Sequence, residues 1–208
     1  MSRLYVVAVP VEKLTRERRR QQTRDVLIAA ATEVFARRGF EGASLEEIAE
    51  TAGFTRGAIY KNYAGKEELF FAVTDRLNEQ VIAAFRAIAP ASAATKEWDF
   101  SALAAMWRAS VADFEDLFAI GKEYELYVLR NPRARKRAVA HRQKNRELVA
   151  AFIDEVAERT GMTLRLPAPI LASIILAAAD GLAYSARVDG EDLFGPFLEL
   201  LNAGMIAD

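Results

Sequence analysis

The 208-residue chain contains no cysteine and only one histidine, His141. Without thiols there is neither a disulfide nor a thiolate metal site, and a single imidazole leaves no zinc ligand set. No metal and no cofactor are therefore expected. Neither G-x-G-x-x-G nor G-x-S-x-G occurs, and Gly57…Gly65-Lys66 has the wrong spacing for a phosphate loop. The acids Asp113, Glu115, Asp116, Glu123 and Glu125 lie close in sequence, as surface acids commonly do. No catalytic residue is assigned, and an enzyme is not expected. Long apolar runs are scarce too. The longest, 169–179, falls short of the ~18–20 residues of a membrane span and is followed by Asp180. The opening MSRLYVVAVP has too brief an apolar patch for a secretory leader and reads as a tail. These absences point away from a membrane and toward the cytoplasm.

What is present is helical pattern and uneven charge. Hydrophobic residues make up 52% and charged residues 27%, an ordinary globular balance. Residues 1–66 carry 12 Lys/Arg and 8 Asp/Glu, whereas 67–208 carry 16 and 21, which recovers the net charge of −1. A basic front and an acidic rear suit two tasks on one chain. Leu27, Ala31, Val34, Phe35 and Arg38 recur at helical spacing, and Gly39 stops that helix. Ser44-Leu-Glu-Glu47 reads as a capping box, in which serine and glutamate satisfy each other's amides, with Ile48 and Ala52 inward. Gly53 ends this second helix. Thr55 caps a third, about 56–63, and a long fourth starts at Lys66 with Leu69, Phe70, Val73, Leu77 and Val81 inward. Further helices are expected at 99–120, 122–131, 133–160, 167–188 and 191–206, broken at Asn131-Pro132, Gly161 and Leu166-Pro167. The expected fold is all-α: a three-helix head with a helix-turn-helix, residues 15–66, and a helical body, residues 67–208.

The head is built to read double-stranded DNA. A helix-turn-helix lays its last helix in a groove about 12 Å wide while the preceding helix braces the backbone. Ile59 is the inward anchor of the third helix. Arg56, Tyr60 and Lys61 lie on its outer face, where a guanidinium can bond bidentately to guanine and a phenol can reach thymine methyl or phosphate. Gly57 allows close backbone approach. Ser44 and Thr55, each at a helix start, sit beside free amides suited to phosphate, and Lys66 opens the fourth helix, where an anion is favoured. The basic run RERRRQQTR (16–24) reads either as an arm for minor groove or phosphates or as a solvated tail.

The run AAATEVFARRGFEGASLEEIAETAGFTRGAIYKNYAGKEEL resembles the DNA-binding domain of the tetracycline-repressor (TetR) family. That family's F-x-x-x-G-[FY] pattern corresponds to Phe35, Gly39 and Phe40. Its third-helix pattern, valine-serine-x-glycine-x-leucine-tyrosine-x-histidine-phenylalanine then x-x-lysine-glutamate, corresponds to 54–63 and Lys66-Glu67. Asn62 replaces the usual histidine, Tyr63 the phenylalanine and Ala64 the frequent proline. The resemblance makes Asn62 a phosphate donor. It implies a homodimer on a palindromic operator, repressing transcription until a small molecule binds the body.

In the body, residues 167–188 and 191–206 are almost wholly apolar and suit half of a four-helix interface with a two-fold mate. The competing reading is an interior helix. Trp107, Phe114, Phe118, Tyr124 and Tyr127 are candidate walls of an apolar ligand pocket, against ordinary core packing. His141, amid Arg137, Arg142 and Lys144, reads as surface. Residues 126–146 hold eight Lys/Arg and no acid, as a solvated helix face does. A helical adaptor whose head binds protein is the alternative to a DNA-binding regulator.

Overall fold

The computed structural model describes residues 15–89, 100–113 and 115–205. All the helices expected are found: α1 (Arg16–Gly42), α2 (Leu45–Thr51), α3 (Arg56–Tyr60), α4 (Lys66–Ile88), α5 (Phe100–Asp113), α6 (Glu115–Arg130), α7 (Pro132–Thr160), α8 (Ala168–Val188) and α9 (Phe194–Met205). Residues 1–14 lie outside the described residues.

Helix α1 starts at Thr15, whose hydroxyl accepts from Arg18 N at 3.2 Å. The basic run 16–24 is thus neither an extended arm nor a tail. It contains no breaker, it is capped, and it forms the first turns of α1. Leu27, Ala31, Val34 and Phe35 are fully buried along one face. Gly39 ends the regular helix with φ +72°, a left-handed conformation that favours glycine.

The capping box is half formed. Ser44 Oγ accepts from Glu47 N at 3.1 Å, but the Glu47 carboxylate turns to Arg37 (3.0 Å) and Arg38 (3.2 Å). The Arg37 hydrogen bond, with that of Arg38, lowers the Glu47 pKa. Two guanidiniums outcompete one backbone amide because charge-assisted bonds are the stronger kind.

The head's core does not close at residue 66. Phe35 and Phe40 pack with Phe70 of α4, and Tyr124 of α6 meets Phe40 edge-on at 4.9 Å. Ile120 joins the same cluster. This explains one misplaced boundary: no break follows residue 120, and Gly121 runs inside α6. Burying Ile120 and Tyr124 on one face outweighs the ~1 kcal/mol cost of a mid-helix glycine.

His141 is not on an open surface. It is half-buried, stacked on Phe71 at 4.2 Å, with Nε2 2.9 Å from Asp75 Oδ1. Lys144 Nζ reaches the other Asp75 oxygen at 2.6 Å, and Arg137 pairs with Glu67 at 2.6 Å. Part of the basic run therefore ties α7 to α4. Burial raises the Asp75 pKa, but the bonds from His141 and Lys144 outweigh it and hold it below the ordinary value. A depressed carboxylate contributes stability above its unfolded pKa, near 4, and loses it as pH falls through the folded value. Asp75→Asn should therefore lower the urea midpoint at pH 7 and flatten its decline below about pH 4; urea titrations across pH check this.

By length and apolarity α8 is long enough to cross a membrane, which corrects the expectation that no segment is. Its Asp180 pairs with Lys122 of α6 at 3.5 Å. Beside it, Ala150 and Ile153 of α7 pack on Ala168, Leu171 and Ala172.

Candidate nucleic-acid interface

The turn between α2 and α3 is made by Gly53 at φ +69°, with Phe54 N donating to Ala49 O at 2.8 Å. Ile59, fully buried, sets the rotation of α3. Tyr63 is buried behind it, under the Arg24 guanidinium at 4.7 Å, and Arg24 also donates to Asn62 O at 3.2 Å. With that anchor in place, Arg56, Gly57, Tyr60 and Lys61 all face outward. Arg56 is 55% exposed and Tyr60 50%.

Arg56 is held rather than loose. Its Nη2 donates to Tyr60 Oη at 2.9 Å, and its carbon centre lies 5.4 Å from that ring. Nη1 is in contact with the Glu46 carboxylate of α2. Tyr60 first, and Glu46 second, raise the arginine's pKa, so its charge is fixed. Sequence reading missed Glu46: the pairing spans the turn and carries no local periodic signal. A duplex must exchange with that carboxylate to engage the guanidinium.

Gly57 has room around it. A Cβ there meets only Thr55 Oγ1, at 3.7 Å, an ordinary contact. The folded chain itself does not require glycine at this position.

Three assigned residues are placed differently. Thr55 stands at the N-cap of α3, exposed, but its hydroxyl makes no capping hydrogen bond. Asn62 donates back to Ala58 O at 2.9 Å, so its amide is turned along its own helix and not outward. Lys66 donates to Glu41 O and Ala43 O, both at 3.0 Å, and lies 4.9 Å above the Phe40 ring. The kink at Gly39 leaves these carbonyls in need of donors, and the ammonium supplies them. Burial lowers its pKa accordingly. Ser44 remains exposed at the start of α2.

The pocket aromatics divide. Tyr124 is buried in the head–body core, and burial drives its pKa up. Tyr127 donates to Glu67 Oε1 and accepts from Asn131, both at 3.1 Å. Both belong to the seam between head and body, where they bridge α1 and α4, and neither lines the body's apolar cavity. Phe114 lies outside the described residues. Phe118 lines an open cleft. Of the described candidates, Trp107 alone lines the apolar cavity, a space of about 220 Å³ whose walls include Val81, Phe85, Phe152 and Met162. In the sequence those residues are indistinguishable from core.

The sequence profile described as bacterial regulatory proteins, tetR family, matches residues 27–73, which run from the inner face of α1 through α3 into α4. The head, residues 27–73, is of the tetR family. Over 74 residues it is 36% identical to the transcriptional activator FasR of Mycolicibacterium smegmatis, covering 36% of this chain and 32% of that protein. Over 59 residues it is 48% identical to the transcriptional regulator TtgR of Pseudomonas putida, 28% of each. The chain thus spans about a third of the length of the curated relatives it matches, and the likeness to them lies in the tetR head. The fold likeness runs further. The structure of a tetR-family regulator from Rhodococcus superposes with a TM-score of 0.67 at 18% identity, covering 89% of this chain and 99% of that one.

Proposed function

We propose that this tetR-family chain is a ligand-responsive transcriptional repressor. It binds a palindromic operator as a homodimer and is released by a small molecule in the body. Residues 15–66 read DNA; residues 67–208 dimerise and sense, in the cytoplasm. The observation that carries the reading is the outward presentation of Arg56, Gly57, Tyr60 and Lys61 over a buried Ile59. Two such helices fit half-sites about 34 Å apart. The last two helices supply the two-fold face: Ile170, Ile174, Tyr184 and Val188 of α8 and Leu200 of α9 are all exposed.

Signal passes through α4. Its start is locked to the end of α1 by Lys66, while its Val81, Ile82 and Phe85 line the cavity. A molecule that fits the cavity better in one setting of α4 shifts the population toward that setting. The heads then no longer match the operator.

Footprinting on DNA from the protein's own promoter, at rising salt, tests this. A protected palindrome with steep salt dependence is expected; sequence-blind or salt-insensitive binding overturns it. Arg56→Ala should weaken operator binding by about 1–3 kcal/mol and relax one base position, with an unchanged melting temperature. Gly57→Ala is the sharper test. The added methyl fits the free protein and gains helix propensity of about 0.5–1 kcal/mol. Stability should hold or rise while operator affinity falls, because the methyl keeps α3 off the duplex. Equal loss of both in thermal melts and mobility shifts defeats the assignment.

A further inference from the structure

Among the described residues, every side chain that lines the body cavity is aliphatic or aromatic apart from the Met162 thioether. Trp107, stacked on Phe194 at 4.4 Å, forms part of the wall. Among the described residues that line the cavity, none has a carboxylate, amide or hydroxyl side chain to orient a polar molecule inside. An occupant lying entirely within it is hydrocarbon. Since ~150 Å³ accommodates benzene, the 220 Å³ holds about eight or nine carbons.

The cavity does not stand alone. Val81, Trp107, Leu176 and Ala179 also line the open cleft beside it, which has a volume of about 600 Å³. That cleft has the opposite character. Arg142 and Arg146 of α7 and Arg187 of α8 line it, with Asn78 and Asn145 as amide donors and Asp180 as the one acid among the described residues. Asp180 is already paired with Lys122. Arg142 Nη1 pairs with Glu125 Oε1 at the long distance of 4.0 Å. Arg187 lies over the Phe118 ring at 4.5 Å, which holds its guanidinium at the cleft wall. Apolar interior and cationic mouth meet at the four shared residues.

We propose that the effector is a single-chain amphiphile, with a hydrocarbon tail in the cavity and an anionic head among Arg142, Arg146 and Arg187. This rests on the reading of the body as the sensing part. A neutral hydrocarbon uses only the cavity, and a cationic amphiphile meets three like charges. A carboxylate or a phosphate monoester matches both halves, since planar guanidiniums bind either oxyanion bidentately. The cleft residues Ser173, Asp180 and Arg187 of α8 are distinct from the exposed stripe Ile170, Ile174, Tyr184 and Val188.

Calorimetry on the full chain with hexanoate, nonanoate, nonyl phosphate, 1-nonanol and nonylamine tests this without DNA. Affinity should rise about fourfold per methylene from hexanoate to nonanoate. Nonanoate should bind roughly tenfold tighter than 1-nonanol, with nonylamine weakest. The ratio of nonyl phosphate to nonanoate tells which oxyanion the mouth prefers. The Arg142→Gln/Arg146→Gln pair should abolish the preference for the anion and leave 1-nonanol unchanged, and Ala179→Phe should abolish binding of all five while the circular dichroism stays helical. Equal affinity for acid and alcohol, or an unaltered preference in the double variant, overturns the amphiphile. Binding of none of the five overturns it too, and the regulator reading survives if the operator is still protected. Nonanoate binding without any protected palindrome supports the site and defeats the regulator reading instead.

Discussion

Replacing Ile174 with aspartate should leave a folded monomer whose operator affinity is lower by two orders of magnitude or more. Ile174 is 45% exposed at the middle of the outward stripe of α8, between Ile170 and Tyr184, and Val188 extends the stripe to 60% exposure. A soluble chain rarely leaves so long an apolar stripe uncovered. Inside a two-fold interface each Ile174 lies close to its own symmetry mate's face, so one substitution introduces two carboxylates into an apolar contact. Removing charge from water without a partner costs several kcal/mol per ion, enough to separate protomers. The fold is spared because the residue faces away from the α7 contact formed by Leu171 and Ala172. Operator binding then loses its bivalence, which is worth roughly 10²–10⁴-fold. Sedimentation velocity and a mobility-shift titration measure the two effects on one sample. A variant that sediments as the wild type does places the two-fold elsewhere.

Gly39→Ala should destabilise the protein by about 2–3 kcal/mol, and the cost has two sources. At φ +72° an L side chain is strained, by about 1–2 kcal/mol. The new Cβ also lies 2.5 Å from Glu123 Oε2. Glu123 is flexible at its tip and moves aside, but its oxygen accepts from Phe40 N at 2.8 Å. That bond, worth about 0.5–1.5 kcal/mol, is lost with the movement. Glu123→Ala removes the bond alone and should cost about 1 kcal/mol. Gly65→Ala is the control. Its φ of 164° is extended backbone, and nothing lies within 4 Å of an added Cβ, so stability should barely change. Chemical denaturation of the three variants separates strain from hydrogen bond. If Gly39→Ala and Gly65→Ala melt alike, the kink is not under the constraint described.

Because Glu123 holds the end of α1 from α6, the same substitution should loosen the joint between head and body. Under the proposed function, a ligand's influence on operator binding should shrink even where DNA affinity itself survives.

Much of this molecule was legible in one dimension. Helical periodicity placed nearly every element, and Gly39, Gly53 and Gly161 stop helices where a left-handed residue is needed. The outward face of α3 followed from one buried Ile59, since a helix rotates as a rigid unit and a single anchor sets every other direction. Local chemistry determines such features: caps, glycines and residues three or four apart meet whatever the rest of the chain does.

The tertiary structure decided the rest. Lys66 and Asn62 have the right chemistry for phosphate, yet one is bound to carbonyls 23 and 25 residues away and the other to its own helix. Tyr124 and Tyr127 are as aromatic as Trp107, but α6 carries them to the head seam while α5 carries Trp107 to the cavity. Glu46 reaches Arg56 only because a four-residue turn brings α2 against α3. A side chain's type states which bonds it can make; which bond it does make depends on what packing brings within about 3 Å, and those neighbours come from distant turns of the chain.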